Sequence, residues 1–498
     1  METKERECAY NMKDSYYVST SIPYVNGAPH IGHAMEFVLG DIMARYHKQY
    51  GSDVFFSTGS DEHGGKIMEK AAEQGLEPQQ FVDQTSQYFV DLSAALSVEY
   101  TKFVRTTDPD HEARAAAIWK ALGDNIYMSK YSGMYDQKEE TFLTHEEARQ
   151  IQKTDPARHK RLVEIEEENY FFKLAKYNTA IIDLIKSGKM VVYPKTRQNE
   201  MMSLLESGLK DISISRPTSK IPWGIPVPGD QTQTMYVWFE ALMNYITTLG
   251  YPEGEQFAKF WPADVHIIGK DITRFHAVIW PAMLMGLGIE TPRVIYVHGH
   301  IKDAGGDIMS KSMGNGIAPN DVISGYGADA LRYYVARHVP GGEDNNFSWE
   351  RFETIYNTEL GNELGNLVQR TASMIKSYQG GVIGDLPESM HDIAPFHDYF
   401  EEFRFDQALD YVWTLIRGLN QYIEDEKPWQ IAKNDEPEHL REVLAYIVAS
   451  TLQIADLIQP ITPNTTAGII RIFGDGIVPA EIPQLFPRVN NHTEPHKQ

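Results

Sequence analysis

Tyr16-Tyr17-Val18-Ser19-Thr20, then Pro29-His30-Ile31-Gly32-His33, then Asp53-Val54-Phe55-Phe56-Ser57 open this chain, and their order decides its fold. The first stretch is short, aromatic and apolar, and reads as a buried strand. The second starts a helix expected from about 30 to 46, because Ile31, Met35, Val38, Ile42 and Met43 approximate one face at helical spacing. Gly51 closes that unit. The third stretch reads as a second buried strand, followed by a glycine-rich turn at Gly64-Gly65. Strands alternating with helices predict an α/β fold with a doubly wound parallel sheet.

Outward from that start, the pattern changes between about Asn125 and Ser213. Short aromatic strands such as Tyr131-Ser132-Gly133-Met134-Tyr135 mix there with a charged helix expected at 139–153. The α/β pattern then returns: a strand at Val265-His266-Ile267-Ile268, a helix at 274–286, a further strand at Val294-Ile295-Tyr296-Val297. Beyond about Glu350 long helical stretches dominate, at 357–378 and 441–457, and predict an α-helical bundle. The expected division is 1–124, the first half of a Rossmann-like domain; 125–213, an inserted connective domain; 214–350, the second half; and 351–498, the helical domain.

The chain has 498 residues, a net charge of −23 and one cysteine, Cys8. A single cysteine excludes an intrachain disulfide and any zinc knuckle built on several thiolates. No run of about 18 apolar residues appears, so no membrane-spanning helix is expected. The start, Met1-Glu2-Thr3-Lys4-Glu5-Arg6-Glu7, has no apolar signal-peptide core, and a cytoplasmic location is expected. The acidic balance argues against a nucleic-acid partner for the chain as a whole, but local basic patches decide such binding.

Two short motifs carry phosphate chemistry. His30 and His33 lie three apart at a helix start and project to one side. A helix N-terminus attracts phosphate, imidazoles donate to its oxygens, and Gly32 lets a flat base approach the backbone. Taken alone, this pair is as readily an ordinary helix-start pair. Lys311 stands between Ser310 and Ser312, with Gly305-Gly306 before it and Gly314 after it. A lysine on such a loop can neutralise charge that builds on a phosphate.

Together and in this order, Pro29-His30-Ile31-Gly32-His33 and Ile308-Met309-Ser310-Lys311-Ser312 resemble the HIGH and KMSKS signatures of class I aminoacyl-tRNA synthetases. The intervening strings Thr58-Gly59-Ser60-Asp61-Glu62-His63-Gly64, Trp223-Gly224-Ile225-Pro226-Val227-Pro228-Gly229, Tyr236-Val237-Trp238-Phe239-Glu240-Ala241-Leu242 and Ile268-Gly269-Lys270-Asp271-Ile272-Thr273-Arg274-Phe275-His276 resemble the methionyl-tRNA synthetase family within that class. The resemblance implies catalytic roles for His30, His33 and Lys311, and ATP contacts at His30, Gly32, His33, Ser310, Lys311 and Ser312. It implies a methionine pocket at Ile22, Tyr24, Asp61, Trp238, Leu242, Tyr245, Ile272, Phe275, His276 and Trp280. The residue types suit that ligand. A thioether packs well on aromatic rings, a carboxylate such as Asp61 pairs with an ammonium, and a Tyr245 hydroxyl or His276 N–H can reach the sulfur. Without the resemblance, the aromatics would be read as plain core.

Three departures stand out. Ile308 replaces the usual first lysine of the second motif, and Glu240 stands where the family commonly has Asp. The insertion lacks the cysteine pairs that hold zinc in many members, so it resembles the zinc-free form and no structural zinc is expected. In the helical domain Asn362, Asn366 and Arg370 recur every four residues, and Trp429 follows Lys427-Pro428. The resemblance implies that these positions read the anticodon, as single-stranded bases stack on aromatics and are hydrogen-bonded at their edges. The implied activity is methionine–tRNA ligation with L-methionine, ATP with Mg2+, and tRNA(Met), by a monomer without membrane attachment. The alternatives are another HIGH-motif nucleotidyl-transferring ligase such as a pantothenate synthetase-like enzyme, a non-catalytic tRNA-binding paralogue, and a structural helical adaptor.

Overall fold

A computed structural model describes residues 13–136, 141–307, 309, 316–339, 341–388 and 391–489. Contacts divide the chain into two units. The first comprises Met1–Pro29, Gly51–Asp91 and Glu99–Val297; the second comprises His30–Tyr50, Leu92–Val98 and His298–Gln498.

The strands are, in chain order, β1 (Ser15–Thr20), β2 (Asp53–Ser60), β3 (Lys102–Arg105), β4 (Ile126–Asp136), β5 (Thr141–Leu143), β6 (Leu162–Phe172), β7 (Val191–Tyr193), β8 (Ile212–Ser213), β9 (Ser215–Pro217), β10 (Pro226–Val227), β11 (Asp230–Met235), β12 (Val265–Gly269) and β13 (Val294–His298). The main sheet has the order β3-β2-β1-β12-β13-β7. β1 pairs in parallel with β2 on one side, Tyr17 opposite Phe55, and with β12 on the other, Val18 opposite Val265. Nearly every residue of β1 is buried, which is why its sequence shows no apolar–polar alternation: Tyr16, Tyr17 and Val18 are consecutive, and the buried Ser19 and Thr20 follow. Gly59 allows the close approach of β2 to β3, since a Cβ there would lie 2.0 Å from the Val104 carbonyl oxygen. The doubly wound α/β architecture is therefore as expected.

The insertion differs in detail. β4 and β6 form a long antiparallel ribbon, from Ile126 opposite Phe172 to Asp136 opposite Leu162, inside a sheet of order β5-β4-β6-β8. The chain returns to the main sheet at β7, which pairs in parallel with β13. That return falls within 125–213, earlier than the sequence suggested, because β7 is only three residues long and too short to show a period. A small antiparallel sheet, β10-β11-β9, follows before β12.

One core of this unit joins the helix Pro109–Leu122, through Ile118, Trp119 and Leu122, to Ile268 of β12, Ile295 and Val297 of β13, and Trp280 and Met283. The helix expected at 274–286 opens with a π-helical turn, Phe275–Ile279, before the α-helix Trp280–Leu287. Pro281 has no N–H to donate back to Ala277, and the turn before it widens.

In the second unit the helix expected at 30–46 is Ile31–Gln49 with His30 at its N-cap. The helix Phe405–Glu426 buries Phe405, Leu409, Val412, Trp413, Ile416, Leu419 and Ile423, the three-to-four spacing of an amphipathic helix. Arg332 is fully buried and pairs with Asp41 at 2.7 Å while donating to the carbonyls of Ile461 at 2.7 Å and Pro460 at 2.8 Å. A buried guanidinium needs this full set of acceptors to offset its lost hydration. The helix expected at 357–378 is π-helical over Tyr356–Gly365 and α-helical over Asn366–Gln379.

Candidate active site

In a doubly wound sheet, ligands bind beyond the carboxyl ends of the strands where the strand order reverses. Here β1 is followed in sequence by β2 and β3 on one side and flanked by β12 on the other, so the reversal lies between β1 and β12. Ile22 and Tyr24 follow the carboxyl end of β1, Asp61 follows β2, and Ile272, Phe275 and His276 follow β12. The first two segments are joined directly: Val25 N–H donates to the Asp61 carbonyl at 3.1 Å, and Asp61 N–H donates to that of Pro23 at 2.9 Å. Asp61 is buried.

Trp238 and Leu242 come from the helical turn Val237–Leu242, and Tyr245 from Asn244–Thr247. Trp238 stacks on Phe275 with centroids 4.0 Å apart and planes at 14°. Tyr24, Trp238, Ile272 and Phe275 are partly buried and pack on a core that includes Leu242, Tyr245 and Trp280. The sequence-derived pocket residues thus gather at one edge of one sheet.

The Tyr245 hydroxyl and the His276 N–H, named from the sequence as donors that can reach a sulfur, are both engaged within the protein. His276 Nδ1 lies 3.0 Å from the Ile272 carbonyl and donates to it, so Nε2 carries the lone pair. The Tyr245 hydroxyl donates to that Nε2 at 2.6 Å. Burial lowers the His276 pKa to about 4, and the ring is neutral near pH 7. His266 repeats the arrangement: Nδ1 meets Ser19 Oγ at 2.6 Å, and Nε2 accepts from Trp280 Nε1 at 3.3 Å. Burial, with His276 nearby, holds it well below the ordinary histidine range. Trp280 is wholly buried.

Two further buried networks stand beside this cluster. Glu240 accepts from His63 Nδ1 at 2.9 Å and from His111 Nε2 at 3.1 Å. Burial alone would depress His63, but Glu240, Glu112 and Asp61 raise its pKa to about 10. Glu62 takes both arms of Arg105, at 2.7 and 2.9 Å, and the Ser60 hydroxyl at 2.6 Å. A bidentate guanidinium–carboxylate pair fixes orientation as well as charge. These anchor the segment on either side of Asp61. His63, His111, Glu62 and Arg105 were not singled out from the sequence; Glu62 and His63 stand in the Asp61-Glu62-His63-Gly64 string, while nothing local marks Arg105 or His111.

In the second unit His30 and His33 are joined at the helix start. Gly32 N–H donates to His30 Nδ1 at 3.1 Å, and His30 N–H donates to His33 Nδ1 at 3.2 Å. The rings stack, with centroids 3.8 Å apart. Both Nδ1 atoms accept, so in the neutral rings both protons sit on Nε2. Burial and the neighbouring His30 hold His33 well below the ordinary range. The Gly32 N–H is thus used internally. Ser310, Lys311 and Ser312, like Ile308 and Cys8, lie outside the described residues. Asn362 and Asn366 are exposed, Arg370 pairs with Glu424 at 2.7 Å, and Trp429 is half-buried in the turn Pro428–Lys433.

The family model described as class I tRNA synthetases (M) matches residues 16–162 and 147–372. A methionine–tRNA ligase of Mesorhizobium japonicum is 40% identical over 488 residues, covering 94% of this chain and 92% of the relative. One from Thermotoga maritima is 38% identical over 472 residues, covering 92% of this chain and 75% of the relative. The solved structure of Mycobacterium tuberculosis methionyl-tRNA synthetase in complex with methionyl-adenylate superposes with a TM-score of 0.88 at 34% identity, covering 96% of this chain and all of that one. The chain belongs to the methionine-type class I tRNA synthetases. Class I membership entails ATP as a substrate. In this chain the Glu240 carboxylate bridges two buried imidazoles. Among the described residues no group of three or more His, Cys, Asp or Glu is arranged to hold a metal ion, and no helix is long and apolar enough to cross a membrane.

Proposed function

We propose that this chain is a methionine–tRNA ligase, which activates L-methionine with ATP and transfers the methionyl group to the terminal ribose of tRNA(Met). The observation that carries the reading is the aromatic pocket at the carboxyl ends of β1, β2 and β12, with the Trp238–Phe275 stack and the buried Asp61 at the same sheet edge. That combination suits an unbranched thioether and an ammonium.

In the first step the methionine carboxylate oxygen attacks the α-phosphorus of ATP, which enters as its Mg2+ complex. The bond to the bridging oxygen breaks, and pyrophosphate leaves. No protein nucleophile is needed. Asp61 holds the ammonium, and the aromatic walls hold the thioether, which places the carboxylate. His30 and His33 offer Nε2–H to the phosphate oxygens, Gly32 gives room for the base, and Lys311 between Ser310 and Ser312 neutralises the charge that builds in the transition state. In the second step a ribose hydroxyl of the tRNA attacks the adenylate carbonyl, and AMP leaves. Asn362, Asn366, Arg370 and Trp429 read the anticodon within the helical domain 351–498, and 125–213 serves as the connective insertion. The enzyme acts as a cytoplasmic monomer without structural zinc.

Charging of tRNA(Met) by purified protein with labelled methionine tests the reading. Acid-stable, tRNA-dependent incorporation is expected, and it should fall when the CAU anticodon is changed. Tight tRNA binding with no charging would instead favour a non-catalytic paralogue.

A further inference from the structure

We infer that Glu240 is a positioning residue for methionine: through His63 its carboxylate fastens the turn that carries Trp238 and Leu242 to the segment that carries Asp61, and through His111 it braces that turn on the helix Pro109–Leu122. This inference rests on the methionine pocket proposed above. It adds a residue that touches no part of that pocket.

The geometry follows from helical spacing. Within Val237–Leu242, Trp238 and Leu242 are four apart and share a face. Glu240 lies midway between them, about 200° around the helix from either. Its carboxylate therefore leaves from the back of the turn. It is wholly buried, and both oxygens are engaged: Oε1 by His63 Nδ1 at 2.9 Å and Oε2 by His111 Nε2 at 3.1 Å. His63 is two residues beyond Asp61, and the Trp223 ring packs edge-on against it at 5.6 Å. His111 sits in the first turn of Pro109–Leu122 and is held in turn by Thr247 Oγ1 at 2.8 Å, from the turn that carries Tyr245.

The charged and titratable groups facing His63 are Glu240, Asp61 and Glu112, the last with Oε1 3.6 Å from Nε2. These three carboxylates keep its ring charged. A buried carboxylate is a poor choice for stability alone, since well-packed apolar side chains often serve as well. What it supplies is a fixed separation. The hydrogen bond to His63 sets how far the thioether-binding face stands from the ammonium-binding carboxylate, the one to His111 holds the same turn against the helix Pro109–Leu122, and a substrate gripped at both ends is sensitive to that distance.

The test is methionine-dependent ATP–pyrophosphate exchange by the full chain, with methionine KM and kcat measured from about pH 6 to 9 for the parental protein, Glu240→Gln and Trp238→Ala. Glu240→Gln keeps the shape and removes the charge. Its methionine KM should rise roughly tenfold with kcat within roughly threefold, because binding geometry is lost while the phosphate chemistry is untouched. A new ionisation should also appear in its KM profile, as His63 loses its principal anionic partner and titrates in the accessible range. A purely structural role would lower kcat and the folded fraction together and leave the pH profile flat. Parental KM in a folded Glu240→Gln protein, or a flat profile, overturns the inference while the pocket stands. Parental KM in Trp238→Ala overturns the pocket reading itself, and the inference with it. Should Glu240→Gln fail to fold, histidine NMR on the parental protein decides: a cationic His63 at pH 8 is required, and a neutral ring there contradicts the inference.

Discussion

His63 and His276 are both buried in the same unit, yet one is charged and the other neutral. His63 donates to Glu240 at 2.9 Å and is held cationic, with a pKa of about 10. His276 donates to the Ile272 carbonyl and accepts the Tyr245 hydroxyl, and is held neutral, with a pKa of about 4. Desolvation acts on both in the same direction, so the partners make the difference. A carboxylate in reach stabilises the imidazolium, whereas one donor and one acceptor specify a neutral tautomer. Around the proposed pocket the two states do different work. The neutral cluster of His276, Tyr245, His266 and Trp280 gives an uncharged wall suited to a thioether, and the charged cluster ties that wall to Asp61.

The largest way to break the contrast is to remove Glu240 entirely. Glu240→Ala leaves a buried imidazolium without its partner, a change that typically costs about 3–5 kcal/mol. Urea unfolding should show a loss of that order. A loss well under 1 kcal/mol would mean that the carboxylate is not what keeps the cation buried.

Stability against pH separates the clusters by sign. His276 has a folded pKa of about 4, below the ordinary 6.5, so the unfolded chain binds more protons between those values. Its stabilisation is full above pH 6.5 and is lost as pH falls through about 4, by about 3 kcal/mol for a shift of this size. His63 behaves oppositely: its contribution is full below pH 6.5 and fades as pH rises through about 10. Thermal unfolding from acid to alkaline pH should trace both limbs, and Glu240→Gln should flatten the alkaline one alone. An unchanged alkaline limb in that variant would place the titration elsewhere.

A smaller effect is expected from Tyr245→Phe. The hydroxyl that donates to His276 Nε2 disappears, and a buried acceptor left without its donor typically costs about 1–3 kcal/mol. The acid limb should also move to higher pH as His276 becomes easier to protonate. An acid limb identical to the parental one would contradict the assigned tautomer.

Trp429→Ala serves as the contrast to all of these. It lies in the second unit, and base stacking on an aromatic is worth about 1–3 kcal/mol, so tRNA charging should weaken by that order. Methionine activation without tRNA should be unchanged, which is the smallest effect of the series. A parallel fall in both would assign Trp429 a structural role instead.

The parallel sheet was legible because β1 and β2 each hold three consecutive apolar residues, Tyr16-Tyr17-Val18 and Val54-Phe55-Phe56, with no polar alternation between them, as a strand covered on both faces requires. The pocket aromatics were legible only through resemblance, since Trp238, Phe275 and Trp280 look like any core aromatic when read singly. What the sequence withheld was long-range and electrostatic. His63 and Glu240 are 177 residues apart, and nothing local to either says that they meet. The hydrogen bond between Tyr245 and His276 was hidden as well, because the tautomer of His276 depends on the Ile272 carbonyl one turn away. β7 escaped because three residues, Val191–Tyr193, carry no period, and the π-helical turns escaped because apolar spacing alone does not distinguish them from an α-helix.

The central claim is that this pocket selects methionine for adenylation, and ATP–pyrophosphate exchange with each of the proteinogenic amino acids tests it most directly. Exchange driven by methionine, abolished by its omission and far above that given by any other amino acid, is the predicted result. Absence of methionine-dependent exchange in folded protein, or a clear preference for a different amino acid, would contradict the account.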